Sequence, residues 1–251
     1  MRALYTRDYF RHVCGGCDEY RRSGGAVLPP RLARALALSP PRPGRRVLDL
    51  GTGRGEVPRH LAAGGDEVWA LDSSPDAVAM ARQTRAGASP EARSRLRLLL
   101  ADAVGLPFAS GRFDAVFMLD VVEHLSLPQL RSCLRDVRRV LRPGGCLILH
   151  TMPNLWYYRW TYPVYRVLAG LPRDPRDRVP LMREMHVNEQ TPSSLRRCLR
   201  AAGFRARAWP ATSHRHEQEP RAALRAVMNL GTRTPGLRAV LCNEIFAVAS
   251  R

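Results

Sequence analysis

The chain has 251 residues, 45% of them apolar, which is enough for one folded core with an appended cap. Forty basic residues against 22 acidic ones give a net charge of +18, and every basic residue is arginine, because no lysine occurs. P-loop nucleotide chemistry and Schiff-base or pyridoxal chemistry, which need a lysine amine, are thereby excluded. The arginines are spread along the chain and accompany abundant Ala, Pro and Gly, so the skew reads as coding bias. A weak, salt-sensitive affinity for polyanions is expected, and no specific nucleic-acid partner. No apolar run approaches the roughly 18 residues of a membrane span. The charged start MRALYTRDYFRH lacks the apolar core of a signal peptide, which gives a cytoplasmic expectation.

Residues 1–41 read as a helical lead-in or cap, with Ala33–Leu38 helical and Cys14-Gly-Gly-Cys17 within it. Four ligands are usual for a structural zinc and no second close cysteine pair exists, so these are read as free thiols. After the break Pro40-Pro41-Arg42-Pro43-Gly44, strands and helices alternate. Strands are expected at Arg46–Leu50, Glu67–Leu71, Leu96–Ala101, Phe113–Leu119 and Cys146–His150, and helices at Gly55–Ala63, Pro75–Arg85 and Leu127–Leu141. Near-continuous apolar strands separated by helices imply a mainly parallel sheet covered on both faces. Residues 42–153 form this core. Residues 154–190 are an aromatic-rich insertion. Residues 191–251 open with a helix capped by Thr191-Pro192 and continue with a strand at Phe204–Trp209, a helical insertion at about 213–240 and a last strand at Asn243–Ser250.

Ligands of open parallel sheets sit beyond the carboxyl ends of the strands, so the residues following each strand are the ones to inspect. After the first strand come Asp49 and Gly51-Thr52-Gly53-Arg54-Gly55. This is G-x-G-x-G; the last position of the dinucleotide fingerprint G-x-G-x-x-G is Glu56, whose carboxylate would repel a phosphate. After the second strand comes Asp72 with Ser73; an acid here accepts from ribose hydroxyls, the alternative being a helix cap that Ser74 can supply. Asp102-Ala103 follows the third strand and suits an exocyclic amino group. Leu119-Asp120-Val121-Val122-Glu123-His124 follows the fourth, and His150-Thr151-Met152-Pro153-Asn154 the fifth.

In order, VLDLGTGRGEV, ALDSSPDAV, LLLADAVGLPF, FDAVFMLDVVEHL and LRPGGCLILHTMPN resemble the signature of class I S-adenosylmethionine-dependent methyltransferases, in particular the small-molecule group with ubiquinone-biosynthesis-like enzymes. The resemblance implies an α/β, Rossmann-like, doubly wound sheet of seven strands, mostly parallel with the last antiparallel, plus helical lid insertions. It implies S-adenosylmethionine as cofactor, with Asp49, Gly51, Thr52, Gly53 and Gly55 at the methionine half. Asp72 and Ser73 would lie at the ribose, Asp102 and Ala103 at the adenine, and Leu119 would line the far side of the cofactor. A sulfonium ligand without phosphate also removes the objection raised by Glu56.

Candidate general bases are His124, His150 and His186, each equally readable as a structural histidine. The lid carries Asn154, Trp156, Tyr158, Trp160 and Tyr162, expected to wall a pocket for a small apolar or aromatic acceptor. With arginines interspersed, the stretch also suits a membrane surface if the acceptor is a lipid. No clear carboxylate ligand set is visible, so no metal is expected. The competing readings are an RNA or protein methyltransferase, a non-catalytic cofactor-fold binding module, and a nicotinamide-dependent reductase with the wrong glycine spacing.

Overall fold

The computed structural model describes residues 4–173, 181–212, 221–234 and 236–251. Part of the Pro/Arg-rich end of the lid, at 174–180, and residues 213–220 and 235 of the later insertion lie outside the described residues. Two short helices, α1 (Cys17–Ser23) and α2 (Pro30–Ala37), precede the sheet. There follow β1 (Arg46–Leu50), α3 (Glu56–Ala63), β2 (Glu67–Asp72), α4 (Pro75–Ala86), α5 (Pro90–Arg95), β3 (Leu96–Leu100), β4 (Phe113–Leu119), α6 (Leu127–Val140) and β5 (Leu141–Thr151). The chain closes with α7 (Tyr162–Ala169), α8 (Met182–Met185), α9 (Pro192–Ala201), β6 (Arg205–Ala211), α10 (Ala222–Arg233), α11 (Arg238–Leu241) and β7 (Glu244–Ser250).

The seven strands lie in the order β3-β2-β1-β4-β5-β7-β6, with β7 antiparallel to both of its neighbours and the other pairs parallel. This is the expected fold class. Successive strand residues face opposite sides, and in β1 both sides are apolar. Leu48 and Leu50 pack with Leu130 and Leu134 of α6 and Leu195 and Leu199 of α9, whereas Val47 packs with Leu36 of α2 and Leu61 of α3. An unbroken hydrophobic strand is what a sheet covered by helices on both faces requires.

Two differences from the sequence expectation have local causes. Helix α5 starts at Ser89-Pro90, where the Ser89 hydroxyl accepts from Ala92 N at 3.2 Å; this is the same cap that Ser74-Pro75 gives α4. Strand β5 begins at Leu141, directly after α6, rather than at Cys146. Pro143-Gly144-Gly145 does not separate helix from strand; it is absorbed in a register shift between Phe113 and Ala115 on the partner strand.

The turn after β1 shows why its first glycine is needed. Gly51 N and Thr52 N both donate to Leu71 O at 2.9 Å, bending the chain across the tip of β2 with Gly51 at φ 78°. A Cβ at Gly51 would stand 2.4 Å from Val121 Cγ2, so both conformation and space call for glycine.

Candidate functional site

Strands β2 and β3 are added on one side of β1 and β4 on the other, so the chain reverses direction across the sheet between β1 and β4. A cleft of about 560 Å³ opens there, at the carboxyl ends of the strands. It gathers Asp49, Gly51, Thr52, Gly53, Asp72, Ser73, Asp102, Ala103 and Leu119 with His124 and His186. Gly55 is not on its wall. A Cβ there would lie 2.9 Å from the Ala81 backbone, so Gly55 serves the close packing of α3 on α4.

Asp49 is the buried acid of the group, 3% exposed, and its Oδ2 has no hydrogen-bond partner. Burial, reinforced by the charges of Asp72 and Glu56, pushes its carboxyl up to about 7. The Thr52 side chain opposes this rise, yet a buried carboxylate with one oxygen unpaired beside a cleft is a costly arrangement that a cationic ligand would relieve. Asp72 is differently placed. Its Oδ2 accepts from Gly53 N and its Oδ1 from Ser74 N, both at 2.9 Å, so it clamps the glycine turn to the tip of β2. Burial raises the Asp72 carboxyl and these main-chain donors oppose the rise. Asp102 is exposed and its Oδ1 accepts from Val104 N at 3.0 Å.

The glycine turn also holds a buried ion pair that sequence reasoning missed. Arg54 donates from Nε and Nη2 to the two Glu56 carboxylate oxygens at 3.1 Å each. The same guanidinium reaches Phe10 O at 2.9 Å, Cys14 O at 3.2 Å and Gly15 O at 2.8 Å. Arg54 thus neutralises Glu56 and fastens the N-terminal segment over the cleft, to which Tyr5, Tyr9, Phe10 and Cys14 contribute wall.

A second network lies at the cleft wall, to which Arg31, Asp120 and Glu244 contribute. Asp120, held at φ 56°, pairs through Oδ2 with Arg31 Nε at 2.9 Å and through Oδ1 with His150 Nδ1. His150 Nε2 faces Glu244 Oε2 at 3.6 Å. Burial would raise the Asp120 carboxyl, but Arg31 and His150 hold it far below the usual carboxylate range. Burial alone would lower His150, and the Asp120 charge overrides it, lifting the imidazole to about 9. His150 is fully buried and does not line the cleft. Its geometry is that of a charged partner of Asp120, which corrects the expectation of a general base at the methyl position.

The other two histidines do meet at the cleft. His124 Nδ1 lies 3.1 Å from Met185 O; a carbonyl only accepts, so Nδ1 carries the hydrogen and Nε2 is left as an acceptor. The His124 and His186 rings are 5.1 Å apart, and the Tyr5 ring stands 5.5 Å from His124. Val187 N and Asn188 N donate to Glu123 O, which fixes the exit of the lid against the loop after β4.

None of the five expected acceptor-pocket residues lines the cleft. The Asn154 carboxamide is consumed internally, donating to Ala239 O and Cys242 O and accepting from Trp156 N. Tyr162 is buried with its hydroxyl on Pro172 O at 3.0 Å, and Trp160 is 59% exposed, facing solvent. Trp156 and Tyr158, half-buried, pack within the same helical segment. The Tyr157, Tyr158 and Tyr162 rings pack against one another, Tyr157 to Tyr158 and Tyr158 to Tyr162, rather than lining the cleft.

Residues 47–145 match the methyltransferase-domain family. A demethylmenaquinone methyltransferase of Thermus thermophilus is 32% identical over 184 residues, covering 69% of this chain and 80% of that protein. An uncharacterised methyltransferase of Synechocystis is 35% identical over 138 residues, covering 54% of this chain and 58% of the relative. A ubiquinone biosynthesis O-methyltransferase of Xanthomonas campestris is 35% identical over 130 residues, and this chain spans about half of its length, 51%. Among solved structures, a chain of the complex between the Haloferax volcanii Trm112 methyltransferase activator and its methyltransferase superposes with a TM-score of 0.62 at 20% identity, over 97% of this chain and 96% of that one. A Haemonchus contortus phosphoethanolamine N-methyltransferase in complex with S-adenosyl-L-methionine gives 0.63 at 18% identity, over 98% of this chain and 59% of that one. These likenesses show a shared Rossmann-like fold. The chain belongs to the class I S-adenosylmethionine-dependent methyltransferase family, in the group that contains the ubiquinone and menaquinone methyltransferases.

Proposed function

We propose that this protein transfers a methyl group from S-adenosylmethionine to an O, C or N atom of a small apolar or aromatic acceptor, a hydroquinone-like ring being the first candidate. The observation that carries this reading is the buried carboxylate of Asp49 with its Oδ2 unpartnered, set beside a glycine bend and followed by acids at the next two strand tips around one cleft. The lining fits the cofactor. Asp49 with Gly51, Thr52 and Gly53 would take the cationic methionine half. Asp72 would take the ribose hydroxyls, since each of its oxygens keeps a lone pair beyond its main-chain bond, and Ser73 lies beside it. Asp102 and Ala103 would face the adenine, with Leu119 against its flat side.

When bound, S-adenosylmethionine supplies a methyl already activated by its sulfonium, so placement is the chain's main task; well-oriented reactants can gain roughly 7–11 kcal/mol. His124, with Nε2 open toward the cleft, is the base this reading favours, and His186 stands next to it. His150 acts through Asp120, as a positioning residue. The acceptor class rests on the quinone substrates named for the relatives and on the aromatic wall of Tyr5 and Tyr9. The purified chain, given radiolabelled cofactor, is expected to label a hydroquinone or catechol in preference to simple amines. Label appearing in RNA or protein and in no small acceptor would instead favour a macromolecular substrate.

An apolar acceptor also gives a use to the outward face of the helical turn Tyr157–Thr161 and of α7, which continues it. Trp160, Val164, Val167 and Leu168 are all exposed, Val167 at 70%, with Arg159 and Arg166 among them. Such a face suits the interface of an anionic bilayer, apolar groups sinking and guanidinium groups reaching the headgroups. Vesicles containing anionic lipid are expected to pellet the wild-type chain, and the double variant Trp160→Ser, Val167→Ser at least threefold less. Equal pelleting would count against membrane contact through α7.

A further inference from the structure

The loop after β4 and the exit of the lid bring together a set of side chains that no role in holding the cofactor accounts for. Glu123, His124 and His186 each offer a ligand atom, all within 4.8 Å of one another, at the wall of the cleft. Ligands about 2.1 Å from one ion and roughly 90–110° apart stand about 3.0–3.4 Å from one another, so closure around an ion asks for side-chain movement of up to about 1.5 Å. We infer that Glu123, His124 and His186 form a binding site for a divalent transition-metal ion, whose open positions receive oxygen atoms of the acceptor. The acceptor part of this inference rests on the methyltransferase reading; the metal site itself does not.

The surroundings are those of ligands held ready. Metal-bound histidines are usually oriented by a carbonyl or carboxylate on their second nitrogen, and metal-bound carboxylates by a hydrogen-bond donor. The Met185 carbonyl holds His124 Nδ1 at 3.1 Å, leaving Nε2 for an ion. His186 Nδ1 faces Glu189 Oε1 at 3.6 Å, and that oxygen is buried with no hydrogen-bond partner. The Thr151 hydroxyl donates to Glu123 Oε2 at 2.7 Å, fixing a carboxylate that is 1% exposed. Beside the set, the Tyr5 hydroxyl is also buried without a partner, a polar atom available to a water or an acceptor oxygen.

Two imidazoles and one carboxylate with further positions open select manganese, iron, cobalt or zinc over magnesium or calcium, which prefer all-oxygen shells. With His124 Nε2 taken up by the ion, the ion replaces that imidazole in easing loss of the acceptor's proton: it would hold and polarise a hydroxyl, and two adjacent hydroxyls better than one, which predicts a catechol or hydroxyquinol acceptor over a monophenol. The absence of an obvious ligand set in the sequence had suggested no metal. His186 is far from the Glu123-His124 pair along the chain, and only folding of the lid exit onto Glu123 unites them.

The test is equilibrium dialysis of the full chain, stripped by chelator, against Mn²⁺ or Zn²⁺ alone, with metal counted by mass spectrometry. The expected result is one ion per chain, with uptake weakened at least thirtyfold in Glu123→Gln and in His186→Asn while S-adenosylhomocysteine still binds both variants. Should a variant fail to fold, the wild type with Co²⁺ decides: nitrogen-ligated visible absorption saturating at one equivalent supports the site, and its absence overturns it. No uptake by protein that binds S-adenosylhomocysteine, or uptake unchanged in folded variants, also overturns the site. Uptake lost in the variants by a chain that does not bind S-adenosylhomocysteine would leave the metal site standing and remove the methyltransferase reading instead.

Discussion

Asp49→Asn is expected to make the ligand-free protein more heat-stable and a weaker binder of the cofactor. A carboxyl whose pKa rises from 3.8 to about 7 on folding costs about 4 kcal/mol once it is ionised. The sign follows from proton counting. Between pH 4 and pH 7 the folded state holds the Asp49 proton and the unfolded state has lost it, so the stability of the free protein falls as pH rises through that window. Above pH 7 the full cost is present; below pH 4 there is none. Asparagine removes the charge, so the variant should melt several degrees above wild type at pH 8, with the difference vanishing near pH 4. At roughly 2–4 °C per kcal/mol for a chain of this size, the gain is readily measured by calorimetry. The cofactor's ammonium would lose a charge-assisted partner, and affinity for S-adenosylhomocysteine should fall about 10- to 100-fold at pH 8. In the wild type the same affinity should decline as pH drops below 7. A variant that melts lower than wild type at pH 8, or binds the cofactor unchanged, would show that Asp49 is a structural acid.

Removing the Arg54 guanidinium should be the most damaging single change near the cleft. Arg54→Met would leave the Glu56 carboxylate buried without its partner and take a side-chain donor from the carbonyls of Phe10, Cys14 and Gly15, of which Gly15 O keeps Arg31 Nη2 at 3.1 Å. Breaking a buried pair from one side typically costs about 3–5 kcal/mol, whereas replacing both partners with apolar groups is often near neutral. The single variant should therefore melt roughly 10 °C lower. The double variant Arg54→Met, Glu56→Met should recover at least about 2 kcal/mol, the remaining loss being the N-terminal carbonyl contacts. The segment before α1 should also become sensitive to proteolysis at low protease in both variants. A loss under about 1 kcal/mol in the single variant would mean that the N-terminal segment is held over the cleft by something other than Arg54.

These two residues mark the boundary of what the sequence could disclose. Asp49 was legible because a parallel sheet places the residue ending each strand at one rim, so alternating strands and helices convert chain order into position around a cleft. Asp72, Asp102 and Leu119 were legible for the same reason. Arg54 was not, although it sits inside the motif. Its partners lie in the N-terminal segment, whose return over the strand tips follows no hydrophobic period. Tyr5 and Tyr9 were missed with it. His150 was legible near the end of β5 but its partners were not: the side chain is buried beside Asp120 and Glu244 and does not line the cleft. The lid shows the opposite failure. Six aromatic residues between Trp156 and Tyr165 promised a pocket by composition, yet composition carries no direction, and Tyr162 and Trp160 point into the lid and into solvent. Among the described residues of the segment, His186 is the one that reaches the cleft wall.

The central claim is that the strand-tip acids and the glycine bend grip an adenosine joined to a cationic amino-acid tail. Isothermal titration of the wild-type chain with S-adenosylhomocysteine at pH 8 tests it most directly. The expected result is one site per chain with micromolar or tighter affinity and a negative heat-capacity change from burial in the cleft. A correctly folded chain that gives no binding at millimolar S-adenosylhomocysteine would contradict the claim, and with it the roles given to Asp49, Asp72 and Asp102.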